Sequence, residues 1–110
     1  MGFIYKVTNI SNNKIYIGQT RFSVEKRWEE HKKEKDRKKY ENVPFYLALK
    51  KYGLENFSIE TIEECDDSLL NEREIYWINF YQSFIRLDKG YNATLGGEGY
   101  SRADSETILL

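Results

Sequence analysis

Two tyrosines, one arginine, one histidine and one glutamate occur in this sequence in an order that could assemble a phosphodiester-cutting site. Tyr5 ends the string Phe3-Ile4-Tyr5, and Tyr16 begins Tyr16-Ile17-Gly18, each at the edge of a strand-like run. Arg27 and His31 follow, one helical turn apart. Arginine grips a phosphate through two hydrogen bonds and stays charged at any working pH. Histidine relays protons near neutrality. A phenol, with a pKa of about 10, becomes a useful base only beside a cation, and Lys14, Arg27 or a metal supplies such a field. Glu74 borders an apolar helical band, four residues after Leu70 and three before Trp77. A carboxylate buried there needs a partner, and one carboxylate with several waters is a usual way for protein to hold Mg²⁺.

Each of these residues also has a plainer reading. Tyr5 and Tyr16 suit cross-strand packing. His31 suits a hydrogen-bonded core position, Arg27 a pair with Glu30, and Glu74 an ion pair with a neighbouring arginine or lysine. Gly18 either leaves room for a close approach or marks a strand end.

The elements that must position these groups follow from local pattern. Residues 2–9 and 14–20 read as strands joined by the turn chemistry of Ser11-Asn12-Asn13, which gives a β-hairpin. With an even loop, Tyr5 and Tyr16 share one face, and Ile4, Ile15 and Ile17 line the other. Residues 23–38 read as a helix capped by Ser23, with Glu25 in its first turn and Val24, Arg27, Trp28 and His31 on one stripe. Pro44 opens a second helix and Gly53 closes it, with Phe45, Ala48, Leu49 and Tyr52 as its apolar stripe. Residues 57–62 alternate as a third strand. Asp66-Asp67-Ser68 caps a helix over 68–84, whose wide band of Leu69, Leu70, Tyr76, Trp77, Phe80, Tyr81 and Phe84 is expected to face the sheet, with Glu72 on the opposite side. Gly96-Gly97-Glu98-Gly99 has the composition of a loop or linker.

A chain of 110 residues is the usual size of one domain. The net charge of −1 conceals segregation. Residues 1–54 hold 13 Lys/Arg against 6 Asp/Glu, a balance of +7, and residues 55–110 hold 4 against 12, a balance of −8. The basic half suits a polyanion-facing surface, with the acidic half turned away or holding a cation; the plainer reading, and the stronger one for a charge run alone, is that both runs are solvated helix faces. Cys65 is the only cysteine, which excludes an internal disulfide and a Cys/His metal cage. A reducing, cytoplasmic setting is expected. Lys6 interrupts the first apolar run, so no signal peptide is read. No stretch approaches the roughly 18 apolar residues of a membrane span.

Taken in order, Phe3-Ile4-Tyr5, Tyr16-Ile17-Gly18, Glu25-Lys26-Arg27-Trp28, His31, Glu72-Arg73-Glu74 and Gly90-Tyr91-Asn92 resemble the GIY-YIG nuclease superfamily. The likeness is greatest to the nuclease domains of intron- and phage-type homing endonucleases. It covers residues 2–97. Phe3 stands where the signature has its first glycine, and Gly2 falls one place early. The resemblance implies an α+β fold, a small three-stranded antiparallel β-sheet flanked by helices, in a domain of residues 1–97 followed by a linker or tail over 98–110. It implies DNA as substrate and Mg²⁺ or Mn²⁺ as cofactor. Tyr5 and Tyr16 become the signature tyrosines, one of which helps to activate water. Arg27 becomes the residue on the scissile phosphate, and His31 a polar helix position near it. Glu74 becomes the metal ligand, and Asn92 the asparagine that supports the site from the final segment. A separate DNA-binding domain or a protein partner is expected to choose the target. The alternative is a catalytically silent nucleic-acid-binding module on the same fold.

Overall fold

The computed structural model describes residues 1–97. Two strands, β1 (Gly2–Asn9) and β2 (Ile15–Thr20), form the expected antiparallel hairpin. Its turn is built from asparagines. Asn9 Oδ1 accepts from the Ser11 amide, Asn12 Oδ1 accepts from the Lys14 amide, and Asn13 takes φ +63°. The register sets Tyr5 opposite Gly18 and Val7 opposite Tyr16. Alternation therefore places both tyrosines on one face and Ile4, Ile15 and Ile17 on the other.

A third strand, β3 (Phe57–Cys65), pairs antiparallel with the far side of β1, so the order is β2-β1-β3 and β2 is an edge. β3 runs three residues beyond the expected end because it is bulged. Ile4 pairs with Glu63 while Tyr5 pairs with Thr61, which leaves Ile62 as the extra residue. One inserted residue swaps the faces of a strand with period two. Phe57 and Ile59 thus share the Tyr5 face, and Glu63 and Cys65 share the Ile4 face.

Helices cover both faces. On the Tyr5 side lie α1 (Val24–Glu34) and α2 (Pro44–Tyr52), whose Val24, Phe45 and Leu49 pack with Tyr5, Val7 and Phe57. Ser23 caps α1, its hydroxyl accepting from the Lys26 amide at 3.0 Å. α1 stops at Glu34 rather than at 38, since no apolar residue beyond His31 remains to dock until Tyr40. Gly53 closes α2 with φ +86°. On the opposite face lies α3 (Leu70–Tyr81), whose Leu70 and Ile78 bury against Ile4, Ile17 and Cys65. Burial of such a side chain is worth about 1.5–3 kcal/mol.

The broad aromatic band of α3 does not all face the sheet. A three-stranded sheet offers room for one stripe, and Leu70, Glu74 and Ile78 take it at four-residue spacing. Trp77 and Tyr81 cover the flank, where the Trp77 indole donates to Glu63 at 2.7 Å and the Lys6 ammonium sits over the Tyr81 ring. Tyr76 and Phe80 stack on each other outside, 46% and 61% exposed. Gln82, at φ +56°, ends the helix before Phe84.

The chain then returns along the open edge of β2. Tyr91 N donates to Ile15 O at 2.8 Å, and Ile15 N to Lys89 O at 3.2 Å. Gly90 is required at this crossing, because a Cβ there would stand 2.4 Å from the backbone of Ile15 and Ser83. No described helix is long and apolar enough to cross a membrane. The expected tail of 98–110 lies outside the described residues.

Candidate active site

The site sits at the β2 edge, where the two helical layers and the returning segment meet. A cleft of about 170 Å³ there is lined by Tyr16 from β2, Glu74 from α3, and Asn92, Thr94 and Gly96 from the final segment. β2 carries the phenol on one face, and the carboxylate approaches from the other, beside Gln19.

Tyr5 is 1% exposed, and its hydroxyl lies 2.6 Å from His31 Nε2. Burial pushes the phenol well above its usual pKa; the field of Tyr16 adds to this, and Arg27 opposes it. At rest Tyr5 is therefore a neutral phenol. His31 is equally buried, and its Nδ1 lies 2.8 Å from the Tyr46 hydroxyl. Burial and then the Arg27 charge hold its pKa well below the usual 6.5, so the ring is neutral. Its nitrogens meet tyrosines rather than solvent. Tyr16 stacks on Phe45, with ring centroids 4.0 Å apart, and this holds it at the wall of the cleft.

Arg27 lies on the same stripe of α1, and its Nη1 donates to Glu30 at 3.0 Å and to Glu34 at 3.4 Å. Burial works against its charge, but the neighbouring carboxylates of Glu34 and Glu30 outweigh this and keep the guanidinium protonated. The expected pair with Glu30 is thus present.

Glu74 is 8% exposed. Its Oε1 accepts from Gln19 Nε2 at 3.1 Å and from the Gly97 amide at 2.9 Å. Gln19 also donates to Asn71 Oδ1 at 2.8 Å, so its amide is fixed from two sides. Both of these donors are neutral groups. Arg73 turns instead to Glu63, at 2.8 Å. Among the described residues no three His, Cys, Asp or Glu cluster as a metal cage. One oriented carboxylate on a cleft suits a hard divalent ion that keeps most of its waters.

Asn92 supports the site by acting as a strand partner. Its Oδ1 accepts from Ile17 N at 2.9 Å and from Ser83 Oγ at 2.7 Å, and its Nδ2 donates to Ile17 O at 2.8 Å. It thereby satisfies the edge of β2 midway between Tyr16 and Gly18.

The structure thus gathers Tyr16, Glu74 and Asn92 at one cleft and sets Tyr5, His31 and Arg27 in a connected group behind β2. Sequence reasoning gives no role to Gln19, Glu34, Tyr46 or Ser83. Hairpin alternation is a signal for Gln19, since it places that residue on the Ile4 face that α3 covers. Tyr46 and Glu34 carry no such signal, because their partnership joins two helices. Gly97, in the stretch of loop or linker composition, closes on Glu74 through its amide.

A family model described as the GIY-YIG catalytic domain matches residues 1–92. Intron-associated endonuclease 1 of Enterobacteria phage T4 is 34% identical over 111 residues, spanning 96% of this chain and 43% of that protein. The putative endonuclease segB of the same phage is 38% identical over 102 residues, spanning 88% of this chain and 39% of that protein. The chain therefore spans less than half the length of these two curated relatives. Among solved structures, a mutant of the catalytic domain of intron endonuclease I-TevI superposes with a TM-score of 0.72 at 31% identity, covering 86% of this chain and 95% of that one.

Proposed function

The chain belongs to the GIY-YIG family of catalytic domains, a nuclease domain similar to those of homing endonucleases, and from that premise we propose that it nicks DNA with one divalent ion, Mg²⁺ or Mn²⁺, held on Glu74. The observation that carries this reading is the cleft itself. It joins a signature tyrosine, Tyr16, to the one carboxylate of α3 that is buried and oriented by hydrogen bonds.

The chain's own groups divide the work. Arg27 releases Glu30 and Glu34 to take the scissile phosphate, and offsets the negative charge that grows there. Tyr16 orients the attacking water at the cleft wall. The Tyr5 oxygen takes up the water's proton as the Tyr5 hydroxyl passes its own to His31 Nε2, its acceptor at rest. Glu74 would hold the ion, which when bound would supply positive charge to the reacting phosphate. Asn92 holds the strand on which Tyr16 rides.

Residues 1–97 form the cleaving domain in this reading, and residues 98–110 serve as a linker or tail. A separate DNA-binding domain or protein partner chooses the target, and the buried free thiol of Cys65 suits a cytoplasmic setting. The test is conversion of supercoiled plasmid to nicked circles with Mg²⁺, with Mn²⁺ and with EDTA. Cutting with metal alone is expected, and Arg27→Ala and Glu74→Ala should each nearly abolish it while keeping a cooperative melting transition. A folded protein inert with every divalent ion overturns the reading in favour of a silent binding module.

A further inference from the structure

Beyond the tyrosine–histidine pair, the hydrogen bonds continue. The Tyr46 hydroxyl touches His31 Nδ1 on one side and donates to Glu34 Oε1 on the other, and Glu34 in turn pairs with Arg27. The resulting chain, Tyr5–His31–Tyr46–Glu34, joins β1, α1 and α2 inside the core. Neither Tyr46 nor Glu34 lines the cleft.

Counting protons gives the chain a direction. Glu34, ion-paired to Arg27, presents only acceptor oxygens, so the Tyr46 proton must point to it. Tyr46 oxygen then has only lone pairs for His31, so Nδ1 carries the imidazole proton. A neutral imidazole has one N–H, so Nε2 is a bare acceptor, and the Tyr5 hydroxyl must donate to it. We propose that Tyr46 and Glu34 are positioning residues that lock His31 in its Nδ1–H tautomer, so that Nε2 stays open to the proton of Tyr5. The groups facing His31 are Tyr5 from β1, Tyr16 from β2, Tyr46 from α2, and Arg27 and Glu34 from its own helix; the other rings around it, Trp28 and Phe45, carry no ionisable group.

This inference rests on the nuclease reading for its catalytic meaning but not for its structural content, and the experiment separates the two. His31 is the only histidine of the chain, so ¹⁵N labelling reports one imidazole. In the wild type at pH 7.5, without metal or DNA, Nδ1 should give the protonated signal and Nε2 the bare one. Tyr46→Phe removes only the oxygen, and the ring should relax towards the Nε2–H form. Glu34→Gln offers a donor as well as an acceptor, so Tyr46 can turn round and the tautomers should mix. Should either variant fail to fold, the wild-type spectrum still decides, since an Nε2–H signal there overturns the inference outright.

Rates give the second readout. Single-turnover nicking by Tyr46→Phe at pH 7 should fall by about tenfold or more, a share of what general acid–base groups contribute, with DNA affinity unchanged. The deficit should fall on the cleavage step alone, because the ring then lacks the bare Nε2 that takes the Tyr5 proton. A loss that falls equally on DNA affinity and on the melting transition marks Tyr46 as merely structural and also overturns the proposal. An Nδ1–H wild type that cuts no DNA upholds the tautomer lock and sinks the nuclease reading instead.

Discussion

Gly18 faces Tyr5 across the hairpin, and the phenol of Tyr5 lies where a side chain at Gly18 would stand. A methyl group at position 18 would fall 2.3 Å from both Cζ and the hydroxyl oxygen of Tyr5. This gives the last letter of Tyr16-Ile17-Gly18 a physical meaning. The glycine is the space through which the first tyrosine reaches His31. The backbone of β2 is ordinary strand here, so close approach rather than φ demands glycine.

Gly18→Ala is therefore expected to do two things. The Tyr5 ring is packed on all sides and has no room to swing away, so overpacking should cost about 1–3 kcal/mol in a urea melt. The displaced hydroxyl should lose His31, and misplacement on the scale of an ångström should slow nicking by about 100-fold. Normal cutting by a folded Gly18→Ala protein would show that the Tyr5–His31 contact is not used.

Glu74 and Gln19 separate binding from orientation. Glu74→Ala removes the proposed ligand, and no metal concentration should restore cutting. Gln19→Ala leaves the ligand but removes one of the donors that aim its Oε1. A group of this kind typically affects metal affinity by about 10- to 100-fold. Nicking by Gln19→Ala should then recover at raised Mg²⁺ or Mn²⁺, which a metal titration of both variants would show. Equal failure of the two at saturating metal would assign Gln19 some other role.

What was legible in the sequence follows the range of the signals. The hairpin, the Ser23 cap, the Pro44 and Gly53 ends of α2 and the shared face of Tyr5 and Tyr16 depend on neighbours within a few residues, and each stands in the structure. The bulge at Ile62 and the single buried stripe of α3 do not. They depend on how wide the sheet is and which face each strand residue must reach. The motif order placed Glu74 and Asn92 in the site, but only tertiary structure shows Asn92 acting as a strand edge and Gly97 as a donor to Glu74. The link from His31 to Tyr46 and Glu34 joins side chains whose partnership no periodicity encodes.

Asn92 should prove a stability residue as much as a site residue. It is 6% exposed and answers a buried amide, a buried carbonyl and the hydroxyl of Ser83. Asn92→Ala strands the Ile17 amide and carbonyl together, and with about 1–3 kcal/mol for an unsatisfied buried group the loss should be about 2–4 kcal/mol. Denaturant unfolding measures this. Asn92→Asp keeps the acceptor for Ile17 N but loses the donor to Ile17 O and adds a buried charge, so it should not rescue. A change below 0.5 kcal/mol, by order of magnitude, would mean that water replaces the side chain at the β2 edge.

The last prediction concerns acid. His31 is neutral when folded because burial and Arg27 hold its pKa well below 6.5, the value it regains on unfolding. Between those two values the unfolded chain binds a proton that the folded one refuses. The depressed pKa thus contributes stability that is fully present above pH 6.5 and is lost as pH falls below it, until the folded pKa is reached. As the only histidine, it is the one side chain expected to titrate near pH 6. Folding free energy should fall by up to about 1.4 kcal/mol per pH unit in that window, one proton's worth. His31→Gln should flatten the slope between pH 6.5 and 5 while lowering stability at pH 7.5. Urea melts across pH 5 to 8 on both proteins decide it: parallel curves would mean that His31 takes up its proton inside the core, and that the buried chain from Tyr5 to Glu34 tolerates an imidazolium.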